Sequence, residues 1–267
     1  MSAVISRDGT SIGYTKVGQG PAVVLVDGAM CSRNFGPMPE LSALLAPQFT
    51  VYLYDRRGRG ESGDTAPYAV EREIEDIAAL IAEAGGSACV YGTSSGGALA
   101  LQAACKLPSI TKVAAFESPY TSDDTRPPTI ENYLPTLEAL LKENRRGDAA
   151  ILFMRYVGMP EDQVEPTRQS PVFPAFEAIA PTLLYDALCV ENPMDGKSLP
   201  PALVAQLSAL KTPALVLGGG DSPQWMLNTQ RAIAEAIPGA QSRTLAGQTH
   251  QVAGAAVAPV ITEFFAG

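Results

Sequence analysis

Short, continuously apolar segments alternate with helical segments along this chain, and this alternation constrains its fold more than any other feature. Runs this short are typical of strands covered on both faces, and strands that alternate with helices favour a parallel sheet. A hairpin with a turn at Asp8-Gly9 precedes them. The sequence predicts an α/β fold with a mostly parallel, doubly wound sheet. The apolar segments are Ala22–Val26, Thr50–Tyr54, Ser87–Tyr91, Lys112–Phe116 and Pro213–Leu217, and a last strand is predicted around Ser242–Leu245.

The strand signal disappears between residues 120 and 212, which are helical or irregular in pattern and rich in proline. We predict that residues 120–212 form a helical cap, inserted into a core of residues 1–119 and 213–267. Such a cap would cover the carboxyl edge of the sheet, where open α/β sheets bind ligands. Its large apolar residues form either the wall of a substrate pocket or the cap's own core. They include Phe153, Met154, Tyr156, Phe173, Phe176 and Tyr185.

The charge balance limits the partners of this chain. Its 267 residues include 19 basic and 28 acidic side chains, for a formal net charge of −9 at pH 7. Such a chain is repelled by phosphate backbones and anionic membrane surfaces, so we expect neither nucleic acid nor a membrane as a partner. No apolar run approaches the roughly 18 residues of a membrane span, and residues 1–8 do not resemble a signal peptide. We expect a cytoplasmic protein with a small-molecule substrate, either monomeric or homodimeric.

Cysteine and histidine are scarce. Cys31, Cys89, Cys105 and Cys189 are widely spaced without a C-x-x-C pair, so we expect reduced thiols, no metal site and no cofactor. His250 is the only histidine. Any imidazole chemistry therefore depends on this residue.

One glycine-rich segment has the pattern of a nucleophilic serine. Gly92-Thr93-Ser94-Ser95-Gly96 fits G-x-S-x-G, follows a predicted strand and precedes an alanine-rich helix. A serine on such a strand-to-helix turn is expected to have a positive φ, and bulky side chains at the flanking glycines would collide. The helix N-terminus behind the turn favours developing negative charge. We predict Ser94 as a nucleophile rather than as part of a βα turn without chemistry.

The segment around Ser94 resembles the nucleophile turn of the α/β-hydrolase fold family, and the resemblance covers nearly all of the chain outside the cap. A second family signature is similar to Asp55–Ser62 (D-R-R-G-R-G-E-S), and a third is similar to Gly247–His250 (G-Q-T-H). The resemblance implies a serine hydrolase. Because a serine hydroxyl is a poor nucleophile at neutral pH, it needs a base within hydrogen-bond reach, and His250 is the only candidate.

Two residues are candidates for the acid that orients His250. The family usually carries an aspartate after the strand that follows the cap, and Asp221 resembles that position. Glu117 ends the strand expected beside the Ser94 strand, and some cap-bearing members of the zearalenone-lactonase type take their acid from there. Either carboxylate could hold the imidazole in the correct tautomer. The sequence leaves both open, with a slight preference for Glu117.

The loop after the first parallel strand departs from the family pattern. Many relatives have His-Gly there, whereas this chain has Asp27-Gly28. An oxyanion hole needs backbone N–H donors rather than that side chain, so Gly28 or Ala29 could supply one donor and Ser95 the other. We expect Asp27 to brace its loop by hydrogen bonding. Cys31, in the same loop, is a less favoured alternative nucleophile.

The resemblance implies hydrolysis of a carboxylic ester or lactone of a small, apolar substrate through an acyl-enzyme. A serine at residue 94, rather than an aspartate, disfavours dehalogenase and epoxide hydrolase chemistry. Two alternatives stay open. One is a cofactor-free perhydrolase or C–C hydrolase with the same triad, and the other is a non-catalytic ligand-binding member of the fold.

Overall fold

A computed structural model describes residues 2–127, 130–190 and 198–267, and its framework is an eight-stranded sheet. The strand order is β1-β2-β4-β3-β5-β6-β7-β8. The pairs β1–β2 and β2–β4 are antiparallel, and the remaining pairs are parallel. The predicted mostly parallel sheet is therefore confirmed. The strands are β1 Ser2–Ile5, β2 Ser11–Val17, β3 Ala22–Val26, β4 Thr50–Tyr54, β5 Ala88–Thr93, β6 Ile110–Phe116, β7 Ala214–Gly219 and β8 Gln241–Leu245.

Helices cover both faces of this sheet. Alternate residues of the central strands point to opposite faces, so each of these strands contributes to two core clusters. Val24 and Val26 of β3 pack into one core cluster, whereas Val23 and Leu25 pack into a second. The first cluster includes side chains of α2, α3, α9 and α10, and the second includes side chains of α1 and α11. The helices are α1 Met38–Leu45, α2 Val70–Glu83, α3 Ser95–Lys106, α4 Tyr133–Lys142, α5 Arg146–Tyr156, α6 Val164–Arg168, α7 Phe173–Ile179, α8 Leu183–Val190, α9 Pro201–Ser208, α10 Gln224–Ala236 and α11 Gly254–Ala266.

Between β6 and β7 the described residues form helices α4 to α9, short 3-10 turns and connecting loops, and we call this segment the insertion. Its run Phe173–Val190, which includes α7, a 3-10 turn and α8, is long and apolar enough by composition alone to cross a membrane. Leu183 and Cys189 of this run are nevertheless buried inside the fold. These residues of the run therefore pack against other parts of the protein.

Candidate active site

Ser94 lies on a tight turn between β5 and α3. Its φ of 56° and ψ of −129° show the predicted positive φ. A Cβ at Gly92 would collide with the backbone of Gly96, and a Cβ at Gly96 would collide with the backbone of Val26, so the turn tolerates only glycine at both places. Helix α3 begins at Ser95. The helix N-terminus is therefore directly beside the serine hydroxyl.

The structure brings Ser94, His250 and Glu117 together. The Oγ of Ser94 lies 3.2 Å from Nε2 of His250, and Nδ1 of His250 lies 2.8 Å from Oε2 of Glu117. The serine can therefore pass its proton to Nε2 while Glu117 holds the opposite side of the ring. The imidazole is 42% exposed, whereas the Glu117 side chain is fully buried. His250 follows β8, so three different sheet positions supply the three groups.

Strand pairing places Glu117 beside the nucleophile. Strand β6 is the parallel neighbour of β5, as the sequence predicts, and the Ser94 N–H donates to the carbonyl of Phe116 at 2.9 Å. Glu117 has a φ of 45°, an uncommon value for a residue with a Cβ. Its Oε1 accepts a hydrogen bond from the Gly219 N–H at 2.7 Å. Both carboxylate oxygens of Glu117 therefore have a fixed partner.

The structure does not bring Asp221 to His250 in the way that it brings Glu117. Asp221 is exposed, and its backbone N–H donates to the carbonyl of Gln248 at 2.8 Å. Strand β7 extends through Gly218 and Gly219, two residues beyond the predicted end at Leu217. The glycine run therefore ends a strand and supplies a donor to Glu117.

Gly28, Ala29 and Ser95 line the same cavity as Ser94 and His250. A Cβ on Gly28 would lie only 2.9 Å from Cβ of Ser94, so the loop passes directly against the nucleophile. Ser95 is the first residue of α3, and an N–H in the first helical turn has no intrahelical acceptor. This arrangement suits the predicted pair of backbone donors.

Asp27 does not brace its loop as the sequence suggested. Its side chain is buried, and Oδ1 has no hydrogen-bond partner within the described residues. Burial raises the pKa of Asp27 to about 8, although Arg59 and Arg56 act in the opposite direction. A protonated Asp27 carries no charge to oppose an oxyanion near Gly28. The brace comes instead from Arg59, whose Nη1 donates to the carbonyl oxygens of Gly28 at 2.6 Å and Cys31 at 3.1 Å.

Cys31 lines the cavity, but its surroundings do not favour a thiolate. Burial raises the pKa of the Cys31 thiol to about 12, and the nearby Asp27 adds to this effect. A thiol that stays protonated is a poor nucleophile. All four cysteines are free.

A cavity of about 1240 Å³ surrounds the Ser94 hydroxyl, and most of its wall is apolar or aromatic. The insertion contributes both to the cavity wall and to a core of its own. Phe153, Tyr156 and Tyr185 line the cavity, whereas Met154 and Phe173 are buried in a cluster within the insertion. Phe176 packs against that cluster.

The guanidinium group of Arg126 also lies in the cavity wall. Its guanidinium carbon lies 4.7 Å from the Trp225 ring centroid and 5.4 Å from that of Tyr156. Over the described ranges, no group of three or more histidine, cysteine, aspartate or glutamate side chains is placed to hold a metal ion.

A buried network of charged residues, which the sequence patterns did not predict, lies under the cavity. Arg56 pairs with Glu73 through two hydrogen bonds of 2.7 Å, and Asp186 of α8 accepts hydrogen bonds from Arg56, Arg59 and Ser95. Burial acts to raise the pKa of Glu73, but Arg56 outweighs this effect and lowers it to about 2. A usable signal was present, since Asp186 is the one charged residue in the apolar helix Leu183–Val190. A lone charge in such a helix indicates a buried partner.

Comparison with known proteins agrees with this fold. A sequence profile of the Alpha/beta hydrolase family matches residues 23–260. The chain belongs to the alpha/beta hydrolase family. A crystal structure of an alpha/beta hydrolase from Sphaerobacter thermophilus DSM 20745 is 49% identical, with a TM-score of 0.89 over 99% of this chain and 100% of the other.

Two further similarities are more distant. The enol-lactonase from Burkholderia xenovorans LB400 has a TM-score of 0.72 at 21% identity over 100% of both chains, which shows the fold alone. A pimeloyl-[acyl-carrier protein] methyl ester esterase of Xanthomonas oryzae pv. oryzae is 37% identical over 100 residues. That match spans 37% of this chain and 37% of the esterase, so this chain covers little more than a third of that relative's length.

Proposed function

We propose that this protein hydrolyses carboxylic esters or lactones through an acyl-enzyme on Ser94, with His250 as general base and Glu117 as its partner. The observation that carries the proposal is the chain of two contacts, 3.2 Å from Ser94 Oγ to His250 Nε2 and 2.8 Å from His250 Nδ1 to Glu117 Oε2. This is the arrangement of nucleophile, base and orienting acid that activates a serine hydroxyl.

Each step of the proposed reaction uses a described group. Ser94 Oγ bonds to the substrate carbonyl carbon as His250 takes the serine proton, and the N–H groups of Ser95 and of Gly28 or Ala29 stabilise the oxyanion. The carbon–oxygen bond to the alcohol then breaks, and His250 returns the proton to that oxygen. Water attacks the acyl-enzyme in the same way, which releases the carboxylic acid and restores Ser94.

The cavity supports a substrate with an apolar acyl or alcohol group. Its wall is mostly apolar, and a volume of about 1240 Å³ exceeds the size of a short ester. An esterase and an enol-lactonase among the similar proteins agree with ester or lactone cleavage. Free cysteines and the net charge of −9 support a cytoplasmic location and a small molecule, rather than nucleic acid, as partner.

Ser94→Ala tests the nucleophile directly. We expect it to abolish hydrolysis of p-nitrophenyl esters and covalent labelling by a fluorophosphonate, with an unchanged melting temperature. Ser122→Ala is the control, because Ser122 is half-buried after β6 and does not line the cavity. If Ser94→Ala keeps a tenth or more of the turnover, Ser94 is not the nucleophile. A wild-type protein that neither labels nor turns over esters is instead a non-catalytic ligand-binding member of the fold.

A substrate panel separates the remaining chemistries. p-Nitrophenyl esters of increasing acyl length, assayed beside lactones, measure how much of the cavity the acyl group fills. We expect kcat/KM to rise with acyl length, because apolar surface buried in the cavity contributes about 25 cal/mol per Å². Activity only with hydrogen peroxide as acyl acceptor, or only on C–C bonds, would assign the same residues to a perhydrolase or a C–C hydrolase.

A further inference from the structure

Asp186 joins the insertion to the core beneath the active site. It lies on α8, its side chain is 5% exposed, and it forms part of the cavity wall. Its two carboxylate oxygens each accept a hydrogen bond of 2.8 Å from Nη2 of Arg59. Oδ1 also accepts one of 2.6 Å from Arg56 and one of 2.7 Å from the Ser95 hydroxyl. One carboxylate therefore holds three side chains of the core.

One of these three side chains is that of Ser95, whose backbone N–H is a predicted oxyanion donor. Ser95 follows the nucleophile and begins α3, and its side chain is 3% exposed. The sequence predicts a role for the backbone N–H of Ser95 alone. The hydroxyl contact with Asp186 adds a second role, because it fixes the side-chain rotamer of a residue that lines the cavity.

The contact between Asp186 and Arg59 connects Asp186 to the loop that carries the other predicted donor, Gly28 or Ala29. While Nη2 of Arg59 bonds to Asp186, Nη1 bonds to the carbonyl oxygens of Gly28 and Cys31. Those carbonyls belong to the loop that carries the N–H groups of Gly28 and Ala29. A planar guanidinium fixes the angle between its two sets of hydrogen bonds, so Asp186 sets the position of the loop through Arg59.

Charge balance explains why a carboxylate is required there. Arg56 and Arg59 are both buried, and among the described residues Glu73 forms an ion pair only with Arg56. Asp186 provides the second negative charge for the two guanidinium groups. A buried ion pair contributes little net stability compared with an apolar pair of similar shape. The contacts of this network converge on the oxyanion loop and on Ser95, which indicates a role in alignment.

We propose that Asp186 is a positioning residue, which aligns both oxyanion donors from the insertion through its bonds to Ser95 and Arg59. This role rests on the proposed function of Ser94. It predicts that the oxyanion hole has its productive geometry only when α8 is docked on the core. A residue of this kind affects the transition state more than substrate binding, because the oxyanion forms only during the reaction.

Asp186→Asn tests the proposal, since the amide keeps the shape and removes the charge. We expect kcat to fall about 100-fold, because the loss of one oxyanion donor costs about 10²–10³ in kcat. KM should stay within about twofold. A trifluoromethyl ketone, which forms a tetrahedral adduct with the serine, should lose affinity by the same factor as kcat. A purely structural role for Asp186 would not produce this parallel loss.

Asp148→Asn is the matched control. Asp148 is also a carboxylate on a helix of the insertion, and it pairs with Arg145 and Arg168 without lining the cavity. We expect its kcat and inhibitor affinity to equal those of the wild type. An equal loss in Asp148→Asn would overturn the proposal, as would a folded Asp186→Asn protein with kcat within threefold of the wild type.

If Asp186→Asn does not fold, two smaller substitutions test the positioning role of Asp186. Ser95→Ala removes only the hydroxyl contact, and Arg59→Lys removes the guanidinium that joins Asp186 to the loop. Both should lower kcat and inhibitor affinity together, and unchanged values in both would overturn the proposal. Ser94→Ala keeps the two proposals separate. Its full activity would overturn the proposed function, whereas an inactive Ser94→Ala beside a fully active Asp186→Asn would overturn only the role of Asp186.

Discussion

Two buried carboxyl groups near Ser94 differ in their hydrogen bonding. Glu117 bonds to His250 and accepts the N–H of Gly219, so both of its oxygens are satisfied. Oδ1 of Asp27 has no hydrogen-bond partner within the described residues, and burial raises its pKa to about 8. A fully buried carboxyl group that lacks hydrogen bonds is more stable when protonated. The two groups are therefore suited to different roles in one site.

Glu117→Gln and Asp221→Asn separate the two candidate acids. We expect Glu117→Gln to lower kcat by several orders of magnitude, because an amide favours the wrong tautomer of His250; about 10⁴ is the value for the corresponding change in a serine protease. Asp221→Asn should lower kcat by less than about tenfold, since a lost surface hydrogen bond contributes about 1 kcal/mol. Steady-state kinetics on one p-nitrophenyl ester measures both. The opposite order would identify Asp221 as the acid.

The raised pKa of Asp27 predicts a specific pH dependence of stability. Because its pKa is about 8 in the folded protein and 3.8 ordinarily, the folded state holds the proton more tightly. The resulting stabilisation is complete below about pH 4 and is lost as the pH rises towards 8.

Asp27→Asn removes this titration. The wild type should therefore lose stability relative to Asp27→Asn by at most about 1.4 kcal/mol per pH unit between pH 4 and 8. Urea denaturation of both proteins at a series of pH values measures this difference. A difference that stays constant with pH would contradict the buried, protonated state of Asp27.

At the scale of elements, the carboxyl end of β7 determines how Glu117 is held. Gly219 is the last residue of β7, and a Cβ there would collide with the carbonyl of Gln248. Its neighbour Gly218 has room, since a Cβ would lie 3.4 Å from Leu227 at ordinary contact distance. Only one of these two adjacent glycines is therefore required by packing.

Gly219→Ala and Gly218→Ala form a matched pair that tests this difference. We expect Gly219→Ala to lower the free energy of unfolding by about 1–3 kcal/mol, the usual cost of overpacking. It should also lower kcat, because the displaced N–H no longer holds Glu117. Gly218→Ala should change stability by less than about 1 kcal/mol and leave kcat unchanged. Thermal denaturation and ester hydrolysis measure both effects, and equal behaviour of the two variants would contradict this account.

At the scale of the whole molecule, sequence patterns predicted the features that depend on local residues. The continuous burial of strands such as β3 and the glycines that flank Ser94 are such features, because an apolar run and a tight turn specify them locally. The contact of Asp186 with Ser95 joins residues 91 positions apart, and it depends on how α8 docks on the core. Nothing in the local sequence fixes that distance. The lack of a hydrogen-bond partner for Oδ1 of Asp27 among the described residues likewise depends on neighbours that only the folded chain supplies.

Because Trp225 lies in the cavity wall, its fluorescence can report ligand binding. Trp225 is the only tryptophan of the chain, so indole fluorescence comes from this one place. A ligand that displaces water from the ring, or that separates it from the Arg126 guanidinium 4.7 Å away, changes the emission. Titration of an ester into the Ser94→Ala protein would therefore report binding without turnover. Emission spectra could rank ligands before any reaction product has been identified.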